Sequence, residues 1–133
     1  MSEENVEVVK AWVDAWNRDD KRAWTNLMDP ELETVPLPEW PESGPLIGPD
    51  AAWDFYKHFE EMLPAREAYE ITELIDAGDS LIACQEAPMR GRASAAEVGF
   101  KLWAVHKLRD GRINRTQWFN ERSEALEAAG LRE

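Results

Sequence analysis

The chain of 133 residues has few of the residues that hold a fold together covalently or through a metal. Its single cysteine, Cys84, excludes an internal disulfide and any multi-cysteine metal site, and it fits a reducing cytoplasm. Only two histidines are present, His58 and His106, with no HExxH or paired spacing, so no metal site is expected. No charged start leads into an apolar stretch, and no apolar run approaches the ~18 residues of a membrane span. The expectation is a soluble, unexported, cytoplasmic protein with no membrane partner. Basic side chains are also scarce. Fifteen Lys and Arg stand against 27 Asp and Glu, giving a net charge of -12, which repels phosphate backbones and anionic surfaces and argues against nucleic-acid binding.

The charge is unevenly spread. Residues 1–79 carry 20 acidic and 6 basic side chains, whereas residues 80–133 carry 7 and 9. Solvated helices followed by a strand-rich half explain this, and an electrostatically polarised molecule is the sharper alternative. No internal repeat, linker or low-complexity segment appears, and the length suits one domain over residues 1–133 with one hydrophobic core. Apolar residues make up 44% and include seven tryptophans, so that core is unusually aromatic.

The apolar period changes once along the chain, from helical to extended. Ser2 can cap a first helix in which Val6, Val9, Val13 and Trp16 follow helical steps beside Trp12, ending near Asn17. Asp19 or Asp20 caps a short second helix carrying Trp24, Leu27 and Met28, stopped by Asp29-Pro30. A short extended piece follows at residues 32–35. Five prolines and two glycines fall within residues 36–49, which predicts a long irregular loop. Asp50 opens a third helix holding Trp53, Phe55, Tyr56 and Phe59, closed by Pro64. Strands are then expected over residues 69–77, 80–90, 97–109 and 112–119. Gly78-Asp79 and Asp110-Gly111 mark the turns, and a small helix over residues 123–129 ends at Gly130. Helices first and an antiparallel meander afterwards give an α+β fold, with helices on one face of a curved sheet.

Five segments in this order are similar to the SnoaL-like branch of the nuclear transport factor 2-like superfamily: residues 8–20 (VVKAWVDAWNRDD), 29–33 (DPELE), 44–48 (GPLIG), 108–113 (LRDGRI) and 124–131 (EALEAAGL). The resemblance covers essentially the whole chain. It implies a cone, in which a strongly bent antiparallel sheet wraps around the N-terminal helices with a pocket at the open end. It also implies a frequent dimer through the outer sheet face. It does not fix a reaction, because this fold carries isomerases, hydrolases, dehydratases, cyclases and binding modules.

Carried over position by position, the resemblance argues against two known chemistries. Ketosteroid isomerase would need a tyrosine, a base and a protonated aspartate at Trp12, Thr34 (or Val35) and Ala104, and none of these residues can act so. The Asp-Arg-Asp set of limonene epoxide hydrolase would fall on Glu86, Pro88 and Trp118, which keeps a carboxylate only where the arginine stood. The same comparisons imply that Cys84, Glu86 and Pro88, then Ala104 and His106, then Thr116, Trp118 and Asn120 point into the cone. Within that set His106 and Glu86 can form an oriented general base of the histidine–carboxylate kind; alternatively His106 is a hydrogen-bonded lining residue.

Trp12, Trp16 and Trp118 are candidates to line an aromatic pocket for a flat or polycyclic apolar ligand. Trp40 would lie over its mouth, and Thr34, Phe55, Phe59, Cys84, Ala104 and Thr116 would complete the wall. Trp24 and Trp53 read as core filler, Asp14 and His58 as surface residues, and Cys84 as a small buried hydrophobe rather than a nucleophile. Trp103 alternates out of phase with His106, so it is expected on the outer sheet face with Val105 and Phe119, where a homodimer would bury it. Two functions stay open. One is a cofactor-independent isomerase, lyase, cyclase or hydrolase acting on a small hydrophobic molecule; the other is a binding or structural module without turnover.

Overall fold

The computed structural model describes residues 3–40, 44–61, 68–87 and 100–131. The first helix, α1 (Glu3–Asn17), buries Val9, Trp12, Val13 and Ala15, the stripe that its 3.6-residue period requires. Its expected cap, Ser2, lies outside the described residues. Asp19 turns the chain with a positive φ, and Asp20 caps α2 (Lys21–Asn26) by accepting from Ala23 N at 3.1 Å. Met28 was expected in this helix but instead opens β1 (Met28–Val35), where it stands opposite Ile113. Pro30 therefore does not stop a helix. It sits exposed where the β1 register shifts, a place where a missing N–H is tolerated.

Residues 36–49 are less irregular than their prolines predict. A two-residue strand, β2 (Leu46–Ile47), pairs with β1 at Thr34 and Glu33. Gly48, at φ +96°, donates to Leu32 O at 2.7 Å and turns the chain into α3 (Pro49–Glu61). Pro49 occupies the first helical position, where proline costs no hydrogen bond.

Four longer strands follow: β3 (Glu70–Asp76), β4 (Ser80–Ala87), β5 (Phe100–Arg109) and β6 (Arg112–Phe119). The parts of the expected strands at residues 88–90 and 97–99 lie outside the described residues. Asp110 and Gly111 both take positive φ, which is the hairpin turn their dipeptide favours. The strands form one curved six-stranded sheet in the order β2-β1-β6-β5-β4-β3. All neighbours are antiparallel except β1 and β6, which run parallel, so the expected wholly antiparallel sheet is corrected at this seam.

The first three helices pack on the inner face around Trp12, Trp24, Leu32, Trp53, Leu81, Leu102 and Trp118. The last helix, α4 (Arg122–Ala128), corrects the expectation that all helices share one face. It lies on the other side, packing Ala125 and Leu126 onto Ile82, Cys84, Trp103 and Val105. Among the described residues no helix is long and apolar enough to cross a membrane.

Candidate functional site

The cone is filled largely by aromatic rings. Trp12 stacks on Trp24 with centroids 5.6 Å apart and meets Trp118 at 6.4 Å and Tyr56 edge-on at 6.4 Å. Trp16 meets Trp53 edge-on at 4.7 Å. Trp40 lies 4.8 Å from Phe59, 5.7 Å from Phe55 and 6.1 Å from Trp118. These separations suit offset and edge-to-face packing, which fixes the rings relative to one another.

The rings leave a cavity of about 40 Å³, lined by Trp12, Val13, Trp16, Trp24, Trp40, Tyr56, Phe59, Glu60, Tyr69, Gln85 and Trp118. One water needs roughly 10–15 Å³ on this measure, so a molecule of a few heavy atoms fits while a polycyclic one would have to displace side chains.

Polar groups in this wall are few, and the buried Trp24 Nε1 has no hydrogen-bond partner among the described residues. Glu60 Oε2 accepts from Trp16 Nε1 at 2.7 Å and from the Tyr69 hydroxyl at 3.3 Å. Tyr69 is held by its backbone: Asn17 Nδ2 donates to Tyr69 O at 2.9 Å, and Tyr69 N donates to Asn17 Oδ1 at 3.0 Å. The Tyr56 hydroxyl accepts from Trp118 Nε1 at 2.8 Å, and burial pushes its pKa well up, so it stays a neutral phenol. Gln85 is 6% exposed, and its Oε1 has no hydrogen-bond partner among the described residues. A buried carbonyl oxygen without a donor costs about 1–3 kcal/mol unless something supplies one.

His106 and Glu86 do not come together. His106 on β5 stands opposite Leu81, whereas Glu86 stands opposite Lys101. Five strand residues separate the two levels, roughly 17 Å at strand rise. Glu86 also lies on the other face, where its Oε2 accepts from Thr72 Oγ1 at 2.7 Å. The expected inward phase of Cys84 and Glu86 is thus shifted by one residue. Leu81 and Ala83 pack inward and Ile82 and Cys84 outward, against α4. Gln85 is the residue that faces the cavity, and Pro88 lies outside the described residues. Cys84 is accordingly no wall residue, and burial pushes its thiol pKa up, away from the thiolate a nucleophile needs.

His106 belongs to a buried polar row across the sheet. Thr34 pairs with Thr116 and Thr116 with His106; all three are essentially inaccessible. The His106 Nδ1 and Thr116 Oγ1 atoms are 2.8 Å apart, and the Trp12 ring crosses the imidazole edge-on at 5.0 Å. Its Nε2 has no partner among the described residues, and burial lowers its pKa to about 3. This is a neutral imidazole beneath the cavity wall, with no carboxylate orienting it.

Among the other expected wall residues, Trp12, Trp16, Trp40, Phe59 and Trp118 line the cavity. Phe55 sits against Trp40 and Phe59, outside the lining. Thr34, Ala104 and Thr116 are buried and also outside the lining. Asn120, expected to point inward, is exposed and donates to Glu39 at 2.7 Å. Asp14 and His58 are exposed as expected. Trp103 and Val105 leave the inner face as expected, but α4 buries them to 5% and 4% exposure, so they do not form an open patch. Sequence reasoning missed Val13, Tyr56, Glu60, Tyr69 and Gln85 as wall residues, and Trp24, read as core filler, also lines the cavity. The spacing of Tyr56 from Trp53 and of Glu60 from Tyr56 along α3 was the available signal for two of them.

The profile of the SnoaL-like domain family matches residues 9–116. The chain belongs to that family. No curated protein sequence matches the chain. Solved structures with this fold include a nuclear transport factor 2-like protein of unknown function from Burkholderia pseudomallei, 17% identical with TM-score 0.69, matching 96% of this chain and 97% of the other. TerC, crystallised with polyporic acid, is 20% identical with TM-score 0.66, over 96% and 99% of the two chains. A protein with a ketosteroid isomerase-like fold from Catenulispora acidiphila, in complex with trimethylamine, is 20% identical with TM-score 0.63, over 94% and 93%. In this SnoaL-like chain Trp12, Thr34 and Ala104 are all buried, and their side chains offer at most an indole N–H and a hydroxyl, and no carboxylate.

Proposed function

We propose that this SnoaL-like domain binds a small molecule inside its aromatic cone and that no turnover runs through His106 and Glu86. One observation carries this reading: a largely aromatic cavity of about 40 Å³ whose wall also includes the buried amide residue Gln85. The rings around it supply contact area to a small ligand. The preserved fold adds support. Neighbours with this fold were crystallised with polyporic acid and with trimethylamine, and the cavity here is nearer in size to the second, which has four heavy atoms. A homodimer through the outer sheet face is not part of the proposal, because α4 already buries Trp103 and Val105, the residues expected to form that contact.

Tryptophan emission and the indole N–H resonances of Trp12, Trp16 and Trp118 test the reading against a panel of small alcohols, amides, ketones and amines. Saturable changes confined to these cavity indoles are expected. If no compound saturates any cavity indole at millimolar concentration, the binding function is refuted.

A further inference from the structure

The surface that the wall presents to the cavity is overwhelmingly apolar, and the main polar groups behind it are occupied or out of reach. Three wall indoles spend their N–H inside the protein: Trp12 Nε1 donates to Met28 Sδ at 3.4 Å, Trp16 Nε1 to Glu60 Oε2 at 2.7 Å and Trp118 Nε1 to the Tyr56 hydroxyl at 2.8 Å. Trp24 Nε1 and Gln85 Oε1 have no partner among the described residues, yet both atoms lie where no molecule the size of water can touch them. Their desolvation is a cost that no occupant of the cavity relieves. Glu60 is engaged as well, since its Oε2 also accepts from the Tyr69 hydroxyl and the residue makes a further interaction, so it is no spare counter-charge for a cation. Trp40 is only half-buried, and water competes with any ligand for its N–H.

An occupant must give up its own water on entering. A donor or acceptor that finds no partner in the wall keeps that loss, and an ion keeps a larger one, whereas apolar surface gains by leaving water for the rings. A cavity of about 40 Å³ limits the occupant to a few heavy atoms. Resting on the binding function proposed above, we infer that the ligand is a small neutral molecule without strong hydrogen-bonding groups, a short branched hydrocarbon or its thioether or halogenated analogue. It is held by ring faces and edges, with Val13 as the aliphatic part of the wall.

Five molecules with one planar, Y-shaped skeleton extend the panel above and differ mainly in polarity: 2-methylpropene, acetone, acetamide, acetate and acetamidinium. Each is titrated at matched ionic strength against the indole N–H resonances of Trp12, Trp16 and Trp118. The hydrocarbon is expected to bind tightest, at least about fivefold tighter than acetone and about tenfold or more tighter than acetamide, with neither ion saturating. Val13→Thr places a hydroxyl in the wall at nearly constant volume and should narrow the preference for 2-methylpropene over acetone by about threefold or more. Near-ultraviolet circular dichroism checks that this variant keeps its packing, and the series on the native protein stands alone should the variant unfold. Acetone, acetamide or either ion binding as tightly as 2-methylpropene overturns the apolar class while leaving small-molecule binding intact. An unchanged preference in folded Val13→Thr overturns it in the same way. If none of the five saturates, the class is overturned too, and the rest of the panel decides the binding function separately.

Discussion

At the scale of single residues, the energetic weight lies in a few buried polar atoms. His106 gives the clearest pH dependence. Its folded pKa of about 3 lies below the ordinary value of 6.5, so between the two the unfolded chain binds the extra proton. Its contribution is fully present above about pH 6.5 and is lost as pH falls toward 3, at roughly 1.4 kcal/mol per pH unit well inside that window. Urea unfolding at pH 7, 5 and 4 should show a steep acid loss in the native protein and a shallower one in His106→Leu; parallel curves would sink this account. Tyr56 is the second such residue. Tyr56→Phe leaves Trp118 Nε1 buried without its acceptor and should cost about 1–3 kcal/mol in unfolding free energy. Neither role was readable from the sequence. His106 was visible as a titratable group on an inward strand position, but its distance from Glu86 depends on register, and a lone strand does not carry its register. Tyr56 and Gln85 were hidden because nothing local marks which polar atom folding leaves in the cavity wall.

At the scale of elements, legibility follows periodicity. The stripes of α1 and α3 have one apolar face, so their buried residues could be read, and the two positive-φ residues of the β5–β6 turn could be read from Asp110-Gly111. Strand β4 could not be phased, because both of its faces are covered and nearly every residue in it is buried. With no polar alternation, a one-residue slip exchanges its two faces unnoticed. The element responsible is α4, held by a capping box between Glu121 and Glu124 and by Arg122 paired with Glu73 at 2.9 Å. Packing outweighs pairing here. Leu126→Ala should cost about 2–4 kcal/mol, whereas Arg122→Ala should cost less, because its pair with Glu73 is some two-fifths exposed on each side. Thermal unfolding of the two variants measures the ranking, and the reverse order would show that α4 is held by charge.

At the scale of the whole molecule, the acidity read from composition is a property of the helical half and its surroundings. Residues 1–79 hold 20 of the 27 acidic side chains, which include Glu60 in the cavity wall. Like charges at that density repel, so raising sodium chloride from ~10 mM to ~150 mM should raise the melting temperature by a few degrees. A fall across that range would mean that ion pairs such as Arg115–Glu33 outweigh the repulsion. The parallel seam between β1 and β6 has a kinetic consequence. Glu33 and Arg115, 82 residues apart in sequence, meet across it, so the β1–β2 pair has no further strand to join until nearly the whole chain exists. The β3–β4 and β5–β6 hairpins close from local sequence, while β1 docking waits on one long loop closure. Pulse-labelled hydrogen exchange during refolding should therefore protect β4 and β5 amides first and β1 amides last. Until that final step, the tryptophans that later form the cavity wall are exposed to other unfolded chains.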